Sequence, residues 1–321
     1  MPDSSQIWAL SDGRAGNARQ AVALAAALVE APAMAAVEVV LEPRAPWRWA
    51  APRRLPGSAA AFGDDFARAL AAAPALAVGC GRQAALATRL LRAGGTRAVQ
   101  VLDPRIDPRH WDLVVAPEHD GLSGANVVTL LGSLHPVDDA WLARARRDFA
   151  PFAALPSPRT AVLLGGPSAH ARFDVAAFEA LAARLDAALA RDGGSVLLSA
   201  SRRTPGDVRE AARRRYAGTP GMAWLGDGDG SNPYPGLLAW AERIVCTADS
   251  VNMVSEACAT ALPVFVFEPG QVIGRPRRFL DALLARGRIR AMDDVLAAFA
   301  APPLRETARV AADVRRRLLS A

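Results

Sequence analysis

The sequence predicts an α/β protein of two Rossmann-like domains facing a cleft, and three observations carry that prediction. Short apolar runs of strand length alternate with helix-period segments along the whole chain, the pattern of parallel sheets covered by helices on both faces. Most of these runs lead into small, polar or glycine-containing turns, as the carboxyl ends of parallel strands do. Pro151, Pro156 and Pro158 mark a linker, and the strand–turn–helix series starts afresh after it.

The elements follow in order. A strand is predicted at residues 7–10, a turn over 11–17 and a helix over 18–29. Further strands are predicted at 37–41, 76–78, 98–102, 113–116 and 127–130. The strand at 76–78 runs through Gly79-Cys80-Gly81-Arg82 into a helix ending near Leu91, and the one at 113–116 leads into a turn over 117–121. A helix is predicted over 137–149. After the linker come a strand at 160–164, the turn Gly165-Gly166-Pro167, a helix over 175–191, a strand at 195–198, a turn over 199–205 and a further helix. A short strand at 222–225 precedes a loop containing Asn232-Pro233-Tyr234. In the stretch 244–267 a buried strand, a polar turn, a helix with Val251, Val254, Ala257 and Cys258 at helical spacing, and a second buried strand after Pro263 succeed one another. An arginine-rich amphipathic helix over 305–319 closes the chain. The expected domains are residues 1–150 on an acceptor side, 151–304 on a nucleotide-sugar side, and a helix over 305–321 packing back on the first.

Composition bounds the function. A chain of 321 residues accommodates two domains of ordinary size. Apolar residues make up 51%, much of it alanine, so the expected cores are modest and helix-rich. Every basic residue is arginine. The balance of 38 basic against 32 acidic residues gives +6, which favours anionic partners such as nucleotides or acidic lipid surfaces. Without an aromatic-interleaved basic patch or a DNA-binding motif, no nucleic-acid partner is expected. Cys80, Cys246 and Cys258 sit among apolar or small residues, as buried free thiols of a reducing compartment do. No cluster has metal-ligand spacing, and Walker and serine-nucleophile signatures are absent, so neither metal nor cofactor is expected. The polar opening residues predict a cytoplasmic protein, with peripheral contact to the inner membrane left open.

The polar turns supply the candidate site. The unit at 244–267 sets a helix N-terminus at a strand's carboxyl end, where free N–H groups and the helix dipole favour a diphosphate. Glu256, about two turns into that helix, is either solvated or held to accept hydrogen bonds such as a ribose's. Arg202 and Arg203, after Ser201, either bind phosphate in bidentate fashion or form a solvated pair. Gly165 and Gly166 either admit a ligand close to the backbone or simply make the turn. Asp12 is either a general base for an acceptor hydroxyl or an Asx-turn or capping residue. Gly13 and Gly16 are turn residues on both readings, and Arg14 is placed to meet an anionic group. His119, between Glu118 and Asp120, is either a base oriented by carboxylates or part of a locally bonded loop. Arg82 either bridges to substrate or makes a salt bridge.

Taken together, Asp12-Gly13 with Gly16-Asn17, Gly81-Arg82, Pro117 to Asp120, Gly165 to Pro167, Ser201 to Pro205, Asn232 to Tyr234, and Thr247 to Ser250 through Glu256-Ala257 resemble a bacterial family related to a plant mitochondrial-fission protein. The second half is also similar to the donor-binding half of two-domain GT-B glycosyltransferases of the kind that adds N-acetylglucosamine to lipid-linked muropeptide. That similarity rests on the small turn, the helix carrying Ser255-Glu256-Ala257, and Leu262-Pro263 before the last strand. It implies metal-independent transfer from a nucleotide-diphosphate sugar bound in the cleft to an acceptor, lipid-linked in that enzyme. Glu256 would hold the ribose, and backbone groups near Asp249, Ser250 and Gly166, with Arg202, the diphosphate, with the Asp249 side chain capping the helix. Those transferases often carry a histidine ending a glycine-rich loop of the first half; residues 12–17 contain none. The alternative is a non-catalytic adaptor or membrane-associated scaffold on the same fold, with Trp47, Trp49 and the last helix as its surface.

Overall fold

The computed structural model describes residues 3–30, 32–70 and 74–319. The chain divides into two compact units, Met1–Pro136 with Glu306–Ala321, and Val137–Arg305.

Unit 1 is built on a six-stranded sheet of β1 (Asp3–Ser11), β2 (Ala35–Val40), β3 (Pro74–Cys80), β4 (Arg97–Val101), β5 (Leu113–Pro117) and β6 (Val127–Leu130). The order is β2-β1-β3-β4-β5-β6 and every neighbouring pair is parallel. Helices α1 (Ala15–Leu28), α2 (Trp47–Ala50), α3 (Gly63–Ala69) and α4 (Arg82–Ala93) connect the first strands. Period-two alternation sends Ile7, Ala9, Leu76 and Val78 to one face, against Ala21, Leu24 and Leu28 of α1. It sends Leu10 and Ala77 to the other, against Phe66 of α3 and Leu86 and Leu90 of α4. Strands buried on both faces explain why these runs read as nearly continuous apolar segments. The strand order reverses between β1 and β3, which makes their carboxyl ends the switch point where open α/β sheets present their ligand crevice.

Unit 2 repeats the plan with β7 (Arg159–Leu164), β8 (Ser195–Ala200), β9 (Gly221–Trp224), β10 (Arg243–Thr247), β11 (Val264–Phe267) and β12 (Arg290–Ala291). Its order is β12-β11-β10-β7-β8-β9, again all parallel, with the switch point between β7 and β10. The helices are α5 (Asp139–Asp148), α6 (Val175–Asp192), α7 (Gly206–Tyr216), α8 (Tyr234–Trp240), α9 (Val251–Cys258) and α10 (Gly274–Ala285). Val162, Leu164, Leu198, Val245 and Phe265 meet Phe178, Leu181 and Leu185 of α6 and Val208 of α7 on one face. Asp138 and Asp174 cap α5 and α6 by accepting from Trp141 N (2.7 Å) and Ala177 N (2.9 Å).

Several boundaries differ from the sequence-based expectation. Helix α5 lies in unit 2, where the sequence set the first domain's end after it: Arg146 Nε donates to Ala239 O of α8 (2.9 Å), and Phe149 lies so close to Gly236 that a Cβ there would sit 2.5 Å from its ring. The predicted turn over 11–17 is shorter, because α1 begins at Ala15 and takes Gly16 into its first turn. Tyr234 opens α8 instead of lying in a turn. The last helix, α11 (Thr307–Val314), belongs to unit 1. Its Val310 and Val314 enter the α1 core, Thr307 and His135 bond reciprocally (2.8 and 3.1 Å), and Glu306 accepts from Leu131 N (2.6 Å). Among the described residues no helix is long and apolar enough to cross a membrane.

Candidate functional site

The switch point of unit 2 brings together the turns after β7, β8 and β10. Thr247 ends β10, and its hydroxyl accepts from Gly165 N (2.8 Å) and donates to Asp249 Oδ1 (2.6 Å). The other carboxylate oxygen of Asp249 accepts from Gly166 N (3.0 Å) and from Arg203 Nη2 (2.6 Å). Arg203 also donates to Gly166 O (3.3 Å). The Asp249 side chain is 2% exposed and that of Arg203 46%. These contacts explain the glycine pair physically. A Cβ on Gly165 would sit 2.0 Å from Asp249 Oδ1, and one on Gly166 would sit 2.1 Å from Arg203 O. No side chain fits at either position, so the pair is required by internal close approach, whether or not a ligand is present.

Three expectations are corrected here. Asp249 does not cap α9: Ser250 does, accepting from Met253 N (3.4 Å), while Asp249 turns back to the β7 loop. The N–H groups of Gly165 and Gly166 are bonded to Thr247 and Asp249, so they are not open phosphate donors. The arginine seated at the turn is Arg203, whereas Arg202 is exposed and contributes its carbonyl to Arg209 (3.2 Å). Ser201 is a turn residue whose hydroxyl accepts from Arg203 N (3.2 Å) and meets Thr204 Oγ1 (3.1 Å).

Helix α9 itself is held at both ends. Its last carbonyls are covered by two arginines that the sequence did not single out. Arg288, 4% exposed, donates to the carbonyls of Cys258 (2.9 Å), Thr260 (2.7 Å) and Leu262 (3.2 Å), and Arg305 donates to Ala259 O (2.9 Å). Cations at this end complement the helix dipole; burial pulls the Arg288 guanidinium's titration down. At the other end, among the described residues, Val251 N and Asn252 N meet no protein acceptor. Glu256 is 3% exposed, and its carboxylate accepts from the hydroxyl of Tyr234 (2.6 Å). The neighbouring thiols are inert by burial, which pushes Cys258 up to about 12 and Cys246 well above the ordinary thiol range.

A pocket of about 350 Å³ opens at the carboxyl ends of β7, β10 and β11, lined by Thr247, Asp249, His170, Arg172, Glu268 and Gln271 among others. Glu268 adopts a left-handed backbone (φ 42°) and pairs with Arg184 at 3.2 Å. The last four lining residues were missed from sequence; the polar run Glu268-Pro269-Gly270-Gln271 after an apolar strand was the signal available for two of them.

In unit 1 the switch point gathers Asp12, Gly13, Arg14 and Arg82. Asp12 Oδ1 accepts from Arg14 N (3.3 Å) and Asn17 Nδ2 (2.9 Å), the Asx-turn arrangement, and Arg14 Nε lies 3.5 Å from Oδ2. Gly13 needs its freedom at φ 73°. A Cβ on Gly81 would lie 2.5 Å from Asn17 Nδ2, which fixes the β3 turn tightly against the β1 turn. Arg82 makes no salt bridge among the described residues and donates to the carbonyls of Arg48 (3.1 Å) and Trp49 (3.4 Å). His119 lies in a single helical turn, Glu118–Asp120, after β5. Burial raises the neighbouring Asp120 carboxyl, partly opposed by His119. Three strand positions separate β5 from β1, about 14 Å at the usual interstrand spacing, so Asp12 and His119 are not brought to one proton.

The comparisons accord with this architecture. The structure superposes on the UDP-GlcNAc 2-epimerase from Methanocaldococcus jannaschii with a TM-score of 0.60 at 12% identity, over 98% of this chain and 100% of that one. It superposes on Os79 from O. sativa, in complex with UDP, with a TM-score of 0.50 at 12% identity, over 98% and 94%. At such identities the likeness establishes the fold, a GT-B arrangement of two parallel α/β sheets. In sequence, the chain is 30% identical over 275 residues to the mitochondrial fission protein ELM1 of Arabidopsis thaliana, matching 76% of this chain and 64% of that protein's length. The model of the family described as Mitochondrial fission ELM1 matches residues 15–318, nearly the whole sequence, and the chain belongs to that family.

Proposed function

We propose that this protein is glycosyltransferase-like and binds the diphosphate of a nucleotide sugar at the carboxyl ends of β7, β10 and β11. The observation that carries the reading is the start of α9. Ser250 fixes the helix, the N–H groups of Val251 and Asn252 remain open, and Arg203 stands close by with nearly half its side chain in solvent. Such a start favours an anion, and the pocket beside it has the size of a small-molecule site. Solved neighbours of this fold carry UDP or a UDP sugar in their names, which makes the uridine nucleotide the first probe. On this reading the diphosphate lies on α9 and Arg203, and competes with the Asp249 carboxylate for that guanidinium. Glu256 reaches a ribose hydroxyl only where Tyr234 gives way. Calorimetry with uridine, guanosine and thymidine diphosphates and their sugars tests the proposal. Saturable binding of at least one, weakened about tenfold (about 1.4 kcal/mol) by Arg203→Ala, is expected. Heats at background for the whole panel would sink it.

A second reading, a non-catalytic adaptor, is favoured by one observation. The Asp249 carboxylate already lies on Gly166 N–H and Arg203, an internal anion in the place a phosphate would take. Membership of a family described by mitochondrial fission supports the same reading. Wild-type protein and Asp249→Asn that both ignore every nucleotide, while the wild type retains a specific protein partner, would favour it.

A further inference from the structure

A second recess lies in unit 1 at the amino ends of the strands, opposite the Asp12 and Arg82 turns, where α4 ends and β4 begins. Its volume is about 420 Å³, within the range of small-molecule sites. The lining is cationic: Arg54, Arg89, Arg92 and Arg97 surround it, with His110 beside them, against one carboxylate, Asp112. That carboxylate is already engaged on both oxygens, by Arg92 Nε (2.9 Å) and Ala98 N (2.7 Å). Arg89 is fixed by Pro52 O (2.6 Å) and lies 5.9 Å from the Trp111 ring centroid. Arg54 and Arg97 are exposed and have no ion-pair partner among the described residues. The crowding is unfavourable by itself: burial, then repulsion from Arg54, pulls the Arg89 titration down. A separate observation comes from Thr96, which lines the same recess. It is 2% exposed, and its hydroxyl is buried with no hydrogen-bond partner. With its oxygen closed to solvent, Thr96 contributes wall to the recess, and the guanidinium groups are its donors.

We propose that this recess is a binding site for a phosphate-bearing small molecule, with Arg54, Arg89 and Arg97 gripping the phosphate and the remaining volume holding the group attached to it. Guanidinium forks match phosphate oxygens in bidentate fashion, and a dianion relieves the repulsion among the arginines. The phosphate belongs either to a soluble metabolite or to a lipid headgroup. The lipid source is included because Leu55 and Trp49 on the adjoining segment are 39% and 64% exposed.

The test uses the full chain and two probes, pyrophosphate in calorimetry and vesicles of phosphatidate in phosphatidylcholine in co-sedimentation, with pure phosphatidylcholine as the blank. The variant is Arg54→Glu with Arg97→Glu, both exposed, so its thermal melt should match the wild type. Both proteins are compared with Arg203→Ala also in place, which weakens the unit 2 anion site, and the proposal expects the double variant to lose at least tenfold in affinity for the probe that the Arg203→Ala protein binds. Pyrophosphate binding without vesicle retention assigns a soluble ligand, and retention by phosphatidate alone assigns a headgroup. Failure of the Arg203→Ala protein to bind either probe, or unchanged affinity in the double variant, overturns the proposal.

Discussion

Asp249→Asn tests the arrangement of the unit 2 switch point most directly. The substitution keeps shape and removes charge from a side chain that is 2% exposed and takes hydrogen bonds from Gly166 N, the Thr247 hydroxyl and Arg203. Hydrogen bonds to a charged group are worth about 1.5–3 kcal/mol and neutral ones about 0.5–1.5, so the Gly166 and Thr247 contacts lose about 1 kcal/mol each. Arg203 is half in solvent, and its share is screened to about 0.5 kcal/mol. Unit 2 should therefore lose about 2–3 kcal/mol, a fall in melting temperature of about 5–10 °C for a unit of this size. Scanning calorimetry or fluorescence-detected melting measures it. The same substitution releases Arg203, so pyrophosphate and UDP should bind Asp249→Asn more tightly than the wild type on the donor-site reading. A melting temperature within about a degree of wild type would refute the claim that this carboxylate holds the β7 and β10 turns together.

Three further outcomes are expected. Tyr234→Phe removes a 2.6 Å donor from the buried Glu256 carboxylate and should cost about 1–3 kcal/mol in urea unfolding; an unchanged midpoint would show that α8 does not brace α9 through this pair. Arg288→Ala takes the donor from the carbonyls of Thr260 and Leu262, leaves Cys258 O to Leu304 N (2.8 Å) and opens a cavity, and should cost about 2–4 kcal/mol, with stability retained in the variant counting against the capping role. Burial raises the thiols of Cys80, Cys246 and Cys258 above their unfolded values, so their contribution to stability is full below the ordinary thiol range and is lost as pH rises beyond it. In a thiol-reagent titration at mildly alkaline pH all three should stay silent in the native protein and react after denaturation; prompt reaction of native Cys246 would contradict its placement.

The sheets were legible because strands buried on both faces leave apolar runs that few other structures produce, and the turns after β1, β3, β7, β8 and β10 announced themselves by glycine and small polar residues. The site was legible by position more than by role. Gly165, Gly166, Asp249 and Ser250 do converge, yet which oxygen meets which N–H depends on a carboxylate folding backwards from its helix, and no local pattern encodes that direction. Between Arg202 and Arg203 the chain offers two equal neighbours, and only the path of the β8 turn decides which one faces β10. Arg288 was invisible for a related reason: its carbonyl partners lie 26–30 residues away, and an arginine in an arginine-rich chain carries no signal of burial. Helix α5 was assigned across the wrong boundary because prolines mark where a chain bends, whereas membership of a unit is decided by packing such as that of Phe149 on Gly236.

The return of α11 to the first sheet has a consequence for biogenesis. Residues emerging from a ribosome in order complete the second unit before the helix that seals the first has been made, since Val310 and Val314 close the face of α1. Until then that face is exposed hydrocarbon awaiting its lid, and a nascent chain halted just short of Glu306 would carry one finished fold and one open to proteases and chaperones.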